Sequence, residues 1–118
     1  MFEKCIDSIV KVIGIKSLGH SSFSLISSML LTSSERGWDK TIELNNDELL
    51  MLSGIGSDAT LRRCKKQLQM YKLIKFKEPA RSKVNDPIAY TLLFENMGVS
   101  IKSYEEMKKP ISSESTPI

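Results

Sequence analysis

Histidine occurs once in this chain and cysteine twice, and no apolar run approaches the ~18 residues a membrane span needs. Each scarcity closes a class of function. His20 has no neighbouring groups with which to catalyse or bind metal, so a surface or capping role is expected for it. Cys5 and Cys64 lack zinc-ligand spacing. Both sit in apolar helical patterns, the setting of buried free thiols rather than of a disulfide. The serines at 21, 22, 24, 27 and 28 have no general base to activate them. Gly54-Ile55-Gly56 is too short for a phosphate-binding loop, and no Lys-Ser or Lys-Thr follows it. Asp47 and Glu48 are accounted for by the dipole of a helix start. No enzyme activity, cofactor or metal is therefore expected. Glu3 and Asp7 interrupt the N-terminal apolar pattern, so no secretory signal and no membrane partner are expected, and the expected location is cytoplasmic.

What the chain does have is an uneven charge. The net charge is only +3, yet residues 62–83 hold nine bases, more than half of the 17 in the chain, against the single acid Glu78. Residues 35–58 hold six acids and two bases. A domain polarised in this way offers one basic face to a polyanion. With 118 residues, 41% of them hydrophobic, one domain with an ordinary core is expected.

Phe2, Cys5, Ile6, Ile9, Val10 and Ile13 recur at helical spacing, although their β-branching leaves a strand open for part of the segment. Gly14 and Gly19 mark a connector. Ser21 or Ser22 can cap a second helix with Phe23, Ile26, Met29 and Leu30 as its buried stripe. Residues 40–44 alternate polar and apolar as a short strand does. Asn45 and Glu48 then form the two halves of a capping box, which opens a short helix to about Ser53. Gly54-Ile55-Gly56 is a tight turn, and Ser57 caps a helix reaching about Lys72. Leu61, Cys64, Leu68 and Tyr71 share one face of that helix, while Ala59, Arg62, Arg63, Lys66 and Met70 share the other. Leu73 to Phe76 and Ile88 to Phe94 read as the strands of a hairpin around a polar loop, with a short helix near residues 104–109. Trp38 and Tyr90 are core or rim aromatics, and Tyr90 could also stack on a base from the hairpin.

The fold expected from this order is mainly α with a small β-hairpin (α+β), a winged helix-turn-helix. Its parts are an N-terminal helical extension at 1–19, a DNA-binding unit at 20–95 and a tail or linker at 96–118. Ser57, Ala59, Thr60, Arg62, Arg63 and Lys66 are the candidate contacts on the helix, and Arg81 and Lys83 those on the wing. Free N–H groups at 57–60 favour a phosphate, whereas Asp58 repels one unless it points away or accepts from a cytosine amino group. The stripe of Phe2, Ile6, Ile9 and Ile13 either covers the core or pairs with its copy in a homodimer, and both readings stay open.

Leu44-Asn45-Asn46-Asp47-Glu48-Leu49, Ser53-Gly54-Ile55-Gly56-Ser57, Thr60-Leu61-Arg62-Arg63-Cys64-Lys65-Lys66-Gln67-Leu68 and Lys72-Leu73-Ile74 together resemble the winged-helix N-terminal domain of phage replisome organisers and DnaD-like replication initiators, over roughly residues 20–94. The resemblance implies origin or single-strand DNA binding, self-association, and recruitment of replication proteins through a separate C-terminal region, which is not expected within these residues. The same motifs are similar to MarR-like transcriptional regulators. A winged helix whose basic face meets an acidic protein partner is the alternative from outside nucleic-acid binding.

Overall fold

Residues 1–77 and 86–108 are described by a computed structural model. Among them the chain runs α1 (Phe2–Val12), α2 (Ile15–Leu18), α3 (His20–Glu35), β1 (Thr41–Leu44), α4 (Asn46–Ser53), α5 (Asp58–Met70), β2 (Ile74–Phe76), β3 (Ile88–Leu92), a 3-10 turn (Phe94–Asn96) and α6 (Ile101–Lys108). It is a mainly helical α+β chain with one small antiparallel sheet. No helix among the described residues is long and apolar enough to cross a membrane.

The signals around α4 act as their chemistry dictates. Asn45 Oδ1 accepts from the Glu48 N–H at 2.7 Å, and Glu48 Oε1 accepts from the Asn45 N–H at 3.0 Å, so the capping box closes. Gly54, at φ 76°, ends the helix in the left-handed region. Ile55 is then buried, and it anchors the turn between α4 and α5.

The sheet has the order β1-β3-β2, with Ile42 and Phe76 both opposite Tyr90. Period-2 alternation buries Ile42, Leu44, Ile74, Ile88, Tyr90 and Leu92 on one face and leaves Thr41, Glu43, Lys75 and Ala89 exposed on the other. β3 stops at Leu92 rather than continuing to Phe94. There the chain turns so that Phe94 stacks on Tyr104 at 5.1 Å and meets Trp38 edge-on at 6.1 Å.

α3 forms the centre of the core, with Leu25, Ile26, Met29 and Leu30 fully buried. Its cap differs from the expected serine. The helix begins at His20 after Gly19, whose φ of 91° and ψ of 148° only glycine adopts readily. Ser22 is buried inside the helix instead, and its hydroxyl donates to Gln67 Oε1 at 2.7 Å. The connector before Gly19 contains a helical turn of its own, α2.

The core draws on both ends of the described chain. α1 is helical throughout and buries Cys5 and Ile9. Met97 and Val99 are buried as well, and Gly98 lies so close to α1 that a Cβ there would stand 3.0 Å from Ser8 Cβ.

Candidate nucleic-acid interface

Most side chains of α5 are charged or polar, so a few apolar residues set its orientation. Leu61, Cys64 and Leu68 recur at spacings of three and four and are buried against the core. At about 100° per residue, Ala59, Arg62, Arg63, Lys66 and Met70 fall on the opposite arc, and all five are exposed. Arg62, Arg63 and Lys66 make no ion pair or side-chain hydrogen bond with another described residue. The expected orientation of the helix is the one observed.

The start of α5 is also as expected, with one correction. Ser57 caps it: its Oγ accepts from the Thr60 N–H at 3.2 Å and donates to Thr60 Oγ1 at 2.9 Å. These two candidate contacts are therefore engaged with each other, and the Thr60 N–H is not free for an anion. The N–H groups of Asp58 and Ala59 remain in the first turn without an intrahelical acceptor. Asp58 is exposed beside them. Arg81 and Lys83 lie outside the described residues.

Tyr90 is 0% exposed, so of its two expected roles the core one is observed and stacking on a base is excluded. Lys65, counted with the basic cluster, is 1% exposed and points inward. Its ammonium donates to Tyr90 Oη at 2.9 Å and to Asn46 Oδ1 at 3.0 Å, and lies 5.3 Å and 5.4 Å from the Phe76 and Tyr90 ring centroids. Its spacing held the clue. Lys65 is four residues after Leu61 and three before Leu68, so it shares their side of the helix.

Polar ties flank the buried stripe of α5 on both sides. Toward the hairpin, Gln69 Oε1 accepts from the Phe76 N–H at 3.0 Å. Toward α2 and α3, Gln67 accepts from Ser22 and donates to the Ser17 carbonyl at 3.3 Å. The exposed basic arc lies between these ties.

Other places offer less chemistry. Cys5 and Cys64 are buried free thiols, and burial pushes Cys5 up to about 11 against the pull of the N-terminal ammonium and Lys4. His20 is exposed at the start of α3. No group of three or more His, Cys, Asp or Glu among the described residues could hold a metal ion. A cavity of ≈ 170 Å³ beside Phe94 and Tyr104 is smaller than an ordinary small-molecule pocket, and Lys40 and Glu95 in its lining are paired with each other at 3.7 Å. No family model, curated protein or solved structure matches this chain significantly.

Proposed function

We propose that this chain is a non-enzymatic DNA-binding protein with a winged-helix fold. In this reading α5 enters the groove, the 79–87 segment serves as the wing, and the protein acts in replication initiation of a phage or mobile element. The observation that carries the reading is the exposed cluster of Arg62, Arg63 and Lys66 on one face of α5. Arg62 and Lys66 are like charges one turn apart, an arrangement that weakens a helix by about 0.2–0.5 kcal/mol per pair. A surface needed only for solubility gains nothing from that cost, whereas phosphates would neutralise it. The order of α4, the 54–56 turn, α5 and an antiparallel hairpin fits a helix-turn-helix with a wing. Arg62 or Arg63 can bind guanine bidentately, and Lys66 can hold a phosphate.

A second reading, as a protein-interaction module, is favoured by Met51 and Leu52. They are 77% and 47% exposed on α4, a helix with no basic residue. Fluorescence anisotropy with a labelled duplex over a salt series separates the two. DNA binding through α5 predicts that log K falls steeply with log salt, by about 0.9 for each phosphate neutralised. Arg63→Ala and Lys66→Ala should each weaken binding by about 1–3 kcal/mol at a base contact, and by less at a phosphate. Parent-like affinity in both variants, or no affinity at low salt, would reject the assignment.

A further inference from the structure

Side chains on both edges of α5's buried stripe hold the helix against rotation about its own axis. On the hairpin edge stand Lys65 and Gln69, one turn apart and bonded to Tyr90 and Phe76; on the opposite edge stands Gln67, bonded to Ser22 and Ser17. Lys65 differs from the glutamines in its burial and in how many elements it joins. Its ammonium reaches Asn46 in the first turn of α4, Tyr90 on β3 and the face of Phe76 on β2.

We propose that Lys65 is a positioning residue, whose buried ammonium fixes the roll of α5 against the hairpin and so sets the direction in which Arg62, Arg63 and Lys66 point. An apolar side chain in this place could slide over its neighbours with little change in energy. An ammonium cannot, because a roll that lost Tyr90 Oη or Asn46 Oδ1 would leave a buried N–H without that acceptor once water is excluded. The tolerance is small. A roll of about 20° carries groups at the outer radius of a helix, about 5–6 Å, through about 2 Å. That exceeds the whole range of lengths over which a hydrogen bond is made. A basic face aimed at bases or phosphates therefore needs its roll held, and the chain uses one of its own cations to hold it. The functional half of this inference rests on the DNA-binding reading; the structural half does not.

The test uses the full chain with Lys65→Met, which keeps the length of the stem, and Tyr90→Phe, which removes one acceptor and no charge. Both are compared with the parent in circular dichroism, in exchange of the Phe76 amide hydrogen, and in duplex binding over a salt series. The expected result is a retained helical spectrum and at least tenfold faster Phe76 exchange in both variants. Duplex affinity should fall at least about tenfold in Tyr90→Phe, which loses one charge-assisted hydrogen bond, and further in Lys65→Met, which loses two. Parent-like exchange and affinity in a folded Tyr90→Phe would overturn the proposal. So would a salt slope reduced by about 0.9 in Lys65→Met alone, since that marks a phosphate contact. If Lys65→Met does not fold, Tyr90→Phe decides the matter. If the parent binds no duplex, the functional reading fails while Phe76 exchange still decides whether the ammonium holds the roll.

Discussion

Lys72 adopts a left-handed backbone, φ 61°, just after the end of α5. Its N–H donates to the Gln69 carbonyl and the Leu73 N–H to the Leu68 carbonyl, both at 3.0 Å, which is the Schellman pattern with lysine where glycine is usual. Lys72→Gly should therefore relieve backbone strain and raise stability by up to about 1 kcal/mol, partly offset by the freer unfolded chain. Urea unfolding checks this, and a lower midpoint would mean that the lysine side chain matters more than its backbone. Cys5 gives a prediction in pH. Its thiol is 0% exposed and titrates near 11 in the folded state, against an ordinary value of 9.0. The unfolded chain thus releases this proton first, and the Cys5 contribution to stability is intact below about pH 9 and declines between 9 and 11. Alkylation at pH 8 should leave Cys5 unmodified until the protein is unfolded. Rapid modification under native conditions would show that α1 detaches readily.

Among the elements, the packing of residues 97–99 on α1 is the least expected from sequence. Gly98 combines φ 78° with the close approach to Ser8, so Gly98→Ala should destabilise the protein by about 1–3 kcal/mol. A parent-like melting temperature would mean that this segment contributes little to the fold. The elements that could be read from sequence are those specified within a few residues. Asn45 and Glu48 open α4, Ser57 opens α5, and the spacing of Leu61, Cys64 and Leu68 orients α5. What escaped depends on partners distant in the chain. Gly19 serves as the α3 cap because Ser22 is drawn inward by Gln67, 45 residues away. Lys65 turns inward because Tyr90 and Asn46 offer it oxygen atoms inside the core. Composition marks Lys65 as one more surface cation; its spacing already puts it on the Leu61 and Leu68 side, but its acceptors come from the distant Asn46 and Tyr90.

At the scale of the whole molecule, one helix concentrates exposed cations, with exposed Met70 among them, and two others carry further exposed apolar residues. The exposed cations Arg62, Arg63 and Lys66 stand on one helix, while exposed Leu31, Met51 and Leu52 lie on α3 and α4. Ser28 on α3 donates to the Leu52 carbonyl at 3.0 Å, so the two helices meet at Leu52. In the DNA-binding proposal, nucleic acid meets the first surface. Chemical-shift mapping of the 15N-labelled protein with a short duplex at low salt tests this assignment most directly. The expected shifts fall on Ala59, Arg62, Arg63, Lys66 and Met70, and they should fade as salt is added. Shifts confined to α1, Leu31 and Met51, or no shifts at all, would contradict it.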